Sequence, residues 1–120
     1  MNRRILIVDD SEDHFELMKF VFADLRCEVV SAKSVSEAEV LVNNESFSVV
    51  LMDISLHDGS GIDLCRKLRE SNPLLPIIFN SGYSQQRIID EAIDAGANAY
   101  LLKPTDFDEL IAIVSSHLNG

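Results

Sequence analysis

With 120 residues, 47% of them hydrophobic and 25% charged, the chain has the make-up of one globular domain over residues 1–120, which excludes a fibrous repeat or a disordered segment. Twenty acidic against ten basic residues give a formal net charge of −10 with no window rich in Lys or Arg, which argues against direct binding of nucleic acid. The longest apolar runs, such as Val49 to Met52, are far too short to span a bilayer, so no membrane association is expected.

Taken in chain order, the first apolar run, Arg4 to Val8, reads as a strand and ends at Asp9-Asp10. It is too short for a signal peptide and lacks a small-residue cleavage site, which points to the cytoplasm. From Ser11 to Leu25, residues Leu17, Met18, Val21, Phe22 and Leu25 form one apolar stripe of helical period, with Phe20 off the stripe and Phe15 at its edge. Glu28 to Ala32 reads as a second strand. Ser36-Glu37-Ala38-Glu39 reads as a capping box opening the next helix, with Val35 and Val40 placed for a hydrophobic staple. A third strand, Ser48 to Met52, leads into Asp53. A helix from about Gly61 to Ser71 turns Leu64, Cys65 and Leu68 inward and stops before Asn72-Pro73.

The fourth strand, Ile77 to Asn80, is followed by Ser81, and a helix from roughly Gln85 to Ala95 ends at Gly96, which can take the left-handed conformation. The fifth strand, Ala99 to Leu102, delivers Lys103. After Lys103-Pro104-Thr105 a last helix is expected to bury Phe107, Leu110, Ile111, Val114 and Leu118. Cys27 and Cys65 fit no metal or redox spacing and read as two reduced core thiols.

Alternating strands and helices define an α/β fold, and strands apolar on both pleat faces call for helices on both sides of a parallel sheet. Right-handed crossovers then require double winding, which leaves a ligand-binding crevice at the carboxyl ends of the strands. Asp9, Asp10, Asp53, Ser81 and Lys103 all fall at such ends. Singly, each has an ordinary explanation: an Asp after a strand caps a helix or forms a turn, and a Lys is a solvated charge. Together they converge on one edge of the sheet. Carboxylates gathered there repel unless a cation sits among them, and oxygen donors without His or Cys suit a hard ion such as Mg²⁺. A carboxylate beside Mg²⁺ can attack a phosphoryl group while the metal and a Lys neutralise its oxygens. Lys103 would supply that charge, and the Ser81 hydroxyl one more hydrogen bond.

Ile7-Val8-Asp9-Asp10, Leu51-Met52-Asp53, Asn80-Ser81-Gly82 and Tyr100-Leu101-Leu102-Lys103-Pro104 resemble, in order and spacing, the signature blocks of response regulator receiver domains, the phosphoacceptor domains of two-component signal transduction. Each block alone is weakly specific; the four together cover nearly the whole chain. The resemblance implies a flavodoxin-like, doubly wound five-stranded parallel sheet of order 2-1-3-4-5. It implies a phosphoryl group passing from a phospho-His of a histidine kinase or histidine phosphotransfer protein to Asp53. Asp9 and Asp10 then hold Mg²⁺ with Asp53 and the backbone carbonyl of Ser55, Lys103 pairs with the phosphate, and Ser81 and Tyr100 form a switch. Self-phosphorylation and autodephosphorylation would be the only reactions, so no enzyme in the ordinary sense is expected. Output would pass through the surface of the fourth helix, fifth strand and fifth helix, to a second copy or an output domain. The Lys103-Pro104 bond is typically cis in such domains.

Residues two positions beyond Asp53 and Ser81, namely Ser55 and Tyr83, are expected to border the path of an attacking water. A donor helix would pack beside the first helix, near Phe15. One departure is His57, in Asp53-Ile54-Ser55-Leu56-His57-Asp58-Gly59-Ser60-Gly61, where the family pattern usually carries Pro. It weakens the expectation of a rigid loop and leaves the chemistry intact. His14, His57 and His117 are given no ligand or catalytic role.

The rival readings fit less well. Haloacid-dehalogenase-type phosphatases carry Asp-x-Asp after one strand, whereas Asp9 and Asp10 are adjacent and Ser55 follows Asp53 at the second position. Neither nucleotide-binding glycine motif occurs, and Gly59-Ser60-Gly61 alone is weak. A flavodoxin-like cofactor domain has no use for the acidic residues, and a pseudo-receiver would not keep the full set. The resemblance fits equally a stand-alone receiver and one cut from a DNA-binding regulator or hybrid sensor kinase.

Overall fold

Side chains alternate across a strand, so a strand apolar at every position must be covered on both faces. In the computed structural model, which describes residues 3–118, that is the arrangement found. Strands β1 (Arg4–Val8), β2 (Glu28–Ala32), β3 (Val49–Met52), β4 (Ile77–Ser81) and β5 (Ala99–Leu102) form one parallel sheet in the order β2-β1-β3-β4-β5. Helices α1 (Glu12–Val21), α2 (Val35–Asn44), α3 (Gly61–Ser71), α4 (Gln86–Asp94) and α5 (Phe107–Leu118) make the crossovers.

The alternation divides the core in two. Leu6, Val8, Val50, Met52, Ile77 and Phe79 point to one face, where Ala38 and Val42 of α2, Leu64, Cys65 and Leu68 of α3 and Ala92 of α4 cover them. Ile5, Ile7, Val49, Leu51, Ile78 and Leu101 point to the other, against Met18 of α1, Phe22 just beyond it and Leu110, Val114 and Leu118 of α5. Burying side chains of this size contributes about 1.5–3 kcal/mol each. The winding reverses between β1 and β3, as the sequence predicts for the expected strand order.

The helices depart from expectation in three places. The first helix stops at Val21, and a 3-10 turn over Ala23–Leu25 carries the chain to Arg26, whose φ of 54° lies in the left-handed region. Met18 and Phe22 are buried as the stripe predicts, but Leu17 is 41% exposed, because it faces the cleft between α1 and α5 rather than the sheet. The second helix begins earlier than Ser36. Ser34 is its N-cap, its hydroxyl accepting the Glu37 N–H at 3.0 Å, so Ser34-Val35-Ser36-Glu37 holds the capping position two residues upstream. Val40 is then 60% exposed, and the Val35–Val40 staple is not the device that starts the helix. Third, Phe107 is 47% exposed rather than buried. It occupies the first position of α5, where it lines the cleft towards α1, and its neighbours Asp108 and Glu109 donate their N–H groups to the Asp106 carboxylate at 2.8 and 3.2 Å. Phe20, off the stripe, is 78% exposed, as expected.

The end opposite the crevice is tied by Arg69 of α3. Its guanidinium donates to the carbonyls of Asn72 and Leu75 at 2.9 and 2.6 Å, to the Gly96 carbonyl at 2.6 Å and to Asn98 Oδ1 at 3.2 Å. Gly96 has a φ of 109°, the left-handed end expected for the fourth helix. Cys27 and Cys65 are both free, Cys65 buried and Cys27 only half-buried. Among the described residues no helix is long and apolar enough to cross a membrane.

Candidate functional site

Each central site residue is placed by the ladder of the sheet itself. One residue beyond the strand ends, Asp9 N–H donates to the Ala32 carbonyl at 3.0 Å, Asp53 N–H to Val8 at 2.9 Å and Lys103 N–H to Ser81 at 2.8 Å. The backbone of all three is thereby fixed at the carboxyl edge, and their side chains turn into the crevice where the winding reverses.

There Lys103 Nζ donates to Asp9 Oδ2 at 3.0 Å and approaches Asp53 Oδ2 at 3.5 Å. Asp9 is buried, and its second oxygen accepts the Ser11 N–H at 2.9 Å, at the start of α1. Asp53 is half-buried and its Oδ1 accepts the N–H of Ile54 at 2.7 Å, so Oδ2 faces the lysine. Of the three carboxylates expected at one point, these two share the ammonium, while Asp10 stands exposed at the rim. Among the described residues no three His, Cys, Asp or Glu side chains form a ready-made metal cage.

The loop after Asp53 is a hairpin in which Ser55–Leu56 pairs antiparallel with Gly59–Ser60. Ile54 and Leu56 are buried and anchor it, and Ser55 is exposed. Gly61 N–H donates to the Ile54 carbonyl at 2.6 Å, and a Cβ at Gly61 would collide with the Asp53 carbonyl, so only glycine allows α3 to start this close to the acidic site.

Ser81 is buried and its hydroxyl accepts the Tyr83 N–H at 3.2 Å, while the Tyr100 hydroxyl donates to the Tyr83 carbonyl at 2.6 Å. Ser81 and Tyr100 thus grip the same residue of the β4–α4 loop from its two backbone groups. Burial pushes the Tyr100 phenol up, with the Ser81 hydroxyl acting in the opposite sense. Tyr83 is 40% exposed. The Lys103–Pro104 bond is cis, as the resemblance implies.

Three features were not read from the sequence. His14, given no role, lies with Nε2 3.7 Å from Asp9 Oδ2; burial and the nearby Lys103 ammonium hold its pKa below the ordinary value. Its position on the first turn of α1 follows from the Ser11 cap, which accepts the His14 N–H at 3.1 Å. Asn80 Oδ1 accepts the Thr105 hydroxyl at 2.8 Å, tying β4 to the segment after Lys103. Asp58, at the hairpin tip, bonds to α2.

The model of the response regulator receiver domain matches residues 5–115. The response regulator protein PilR of Pseudomonas aeruginosa is 34% identical over 97% of this chain, and the transcriptional regulatory protein ZraR of Escherichia coli 32% over 98%. The chain spans only 26% of the length of each of these relatives. Among solved structures, a CheY-like receiver domain protein from Methanospirillum hungatei superposes with a TM-score of 0.92 at 30% identity, covering 99% of this chain and 95% of that one. The Francisella response regulator 1452 receiver domain gives 0.90 at 28% identity, covering 98% of each chain. The chain belongs to the response regulator receiver domain family of two-component systems.

Proposed function

We propose that this receiver domain takes a phosphoryl group onto Asp53 from a phospho-His of a histidine kinase or histidine phosphotransfer protein, in a Mg²⁺-dependent reaction. The observation that carries the reading is Lys103 Nζ lying within 3.0 and 3.5 Å of two carboxylates at the winding reversal. Asp53 Oδ2 attacks phosphorus, the bond to the imidazole nitrogen breaks with its electron pair going to that nitrogen, and the imidazole, protonated from solvent at its other ring nitrogen, leaves as the neutral donor side chain. Lys103 then balances charge on the transferred oxygens. The donor set of Asp9, Asp10, Asp53 and the carbonyl of Ser55 is all oxygen, which fits Mg²⁺, an ion that takes one or two carboxylates and keeps its waters. When bound, the metal supplies further positive charge to the phosphoryl oxygens.

Switching follows from the Tyr83 grip. An acceptor oxygen on Asp53 draws the Ser81 hydroxyl toward it, and the two packings of Tyr100 then differ in free energy by what the phosphate contributes. Output passes through α4, β5 and α5 to a second copy or an output domain. Ile93 and Leu102 are exposed apolar side chains on that surface. The chemistry is self-phosphorylation and autodephosphorylation rather than turnover of a substrate, and the cytoplasmic setting and the lack of direct nucleic-acid or membrane contact read from the sequence belong to the same proposal.

Incubation with a small acyl phosphate, with Mg²⁺ or with chelator, tests this by intact mass. Gain of one phosphoryl group only in the presence of Mg²⁺ is expected. Equal gain in chelator, or none in either, overturns the metal-dependent reading.

A further inference from the structure

The hairpin after Asp53 reaches sideways as well as inward. At its tip Asp58 Oδ1 accepts the Val35 N–H at 2.8 Å, and Oδ2 accepts the Ser36 N–H at 3.2 Å and faces the Ser36 hydroxyl at 3.3 Å. These are orphan donors of the first turn of α2, where a carboxylate also meets the positive end of the helix dipole. The Val35 N–H is the main cause holding the Asp58 carboxyl below the usual range, so the side chain is fully ionised at neutral pH. Gly59 lies flush against the same turn, since a Cβ there would come within 3.3 Å of Val35 Cγ2. The same β2–α2 segment is held from its other side, where Lys33 pairs with Glu12 of α1, two residues after Asp10. The segment is thus tied to α1 at Lys33 and to the hairpin at Val35 and Ser36.

We infer that Asp58 is a positioning residue for the phosphorylation site: by clasping the first turn of α2 it fixes the hairpin that presents the Ser55 carbonyl toward the metal. This rests on the proposed metal-dependent reading of the site. The clasp answers the departure at His57, where a loop without the usual proline lacks its backbone restraint on φ. Buried Ile54 and Leu56 hold the root of the hairpin, and hydrogen bonds to α2 hold its exposed tip. Asp58 touches neither phosphate nor metal in this account. Its effect is carried by backbone order, and groups that orient a metal ligand typically change metal affinity by about 10- to 100-fold when removed.

Asp58→Ala separates this role from plain helix capping when set beside Ser34→Ala. Ser34→Ala removes a different cap from the same helix end, the Glu37 N–H acceptor, and meets the clasp only through a long 3.4 Å contact with the Ser36 hydroxyl, leaving both backbone N–H groups on Asp58. Amide hydrogen exchange in chelator and Mg²⁺ affinity by NMR titration are read on both variants and the wild type. Asp58→Ala is expected to raise exchange of the Ser55–Ser60 amides and weaken Mg²⁺ about tenfold. Ser34→Ala is expected to raise exchange in α2 and leave the hairpin and the affinity at wild-type values. Equal behaviour of Asp58→Ala and wild type overturns the inference, as does an equal loss of affinity in both variants, which would assign the effect to α2 stability. A wild type that binds no Mg²⁺ brings down the metal reading and the inference together. A wild type that binds it, beside an Asp58→Ala variant with the same affinity, brings down the inference alone.

Discussion

Tyr83 joins Ser81 and Tyr100, the residues of the proposed switch, through its backbone, since its N–H and carbonyl are held by them, and this leaves its half-exposed ring free to act separately. In the proposed reading the ring borders the approach of water to an acyl phosphate on Asp53. Tyr83→Ala should therefore shorten the lifetime of the phosphorylated protein several-fold while leaving the rate of its formation unchanged, as followed by loss of phosphoprotein after donor removal. His14 offers a test of a different kind. Its folded pKa lies below the ordinary 6.5, first because burial disfavours the cation and then because Lys103 repels it. The unfolded chain binds the proton more readily, so stability is full above about 6.5 and falls as pH drops toward the folded pKa. His14→Gln should remove that share of the acid loss, measured by denaturant unfolding across this window in chelator. Asp9, Asp53, Ser81 and Lys103 were legible because each sits at the end of a recognisable strand, where topology alone brings them together. The contact of His14 with Asp9 was not, because it depends on the rotation of α1's first turn over the sheet.

Element starts and stops followed the same division between local and tertiary control. The sequence pattern placed the start of α2 at Ser36-Glu37-Ala38-Glu39, whereas Ser34 caps the helix and Asp58, distant in sequence, satisfies the N–H groups of Val35 and Ser36. The exposed Phe107 shares the period of Leu110 and Val114 but lines the α1–α5 cleft of about 420 Å³ with Leu17. Periodicity gives the face of a helix, not where along it the sheet ends. The most stringent local requirement is at Gly61. Gly61→Ala drives a methyl group into the Asp53 carbonyl and should cost about 1–3 kcal/mol, read as a lowered denaturation midpoint. It should also slow phosphorylation, because relief of the collision must move Asp53 or the start of α3.

Over the whole molecule, the two halves of the core keep the sheet rigid while the crevice edge is joined by single hydrogen bonds, so phosphorylation has a stiff frame and a few exchangeable contacts to act on. Phosphorylation is expected to produce a population shift confined to the β4–α4 loop, α4, β5 and α5. Comparing NMR spectra of unmodified and beryllofluoride-treated protein should show shift changes at Tyr83, Tyr100 and along α4, with β1 and β2 nearly unaffected. No change around Tyr100 would leave the switch without support. The strand order was legible from the resemblance and the alternation of elements, whereas the packing of Tyr100 against the β4–α4 loop depends on contacts between distant segments. All of this rests on one residue accepting the phosphoryl group. Peptide mapping by tandem mass spectrometry after treatment with a small acyl phosphate and Mg²⁺ should place one phosphoryl group on Asp53 and find none in Asp53→Asn. A phosphate on another residue of the wild type, or full modification of Asp53→Asn at the wild-type rate, would contradict it.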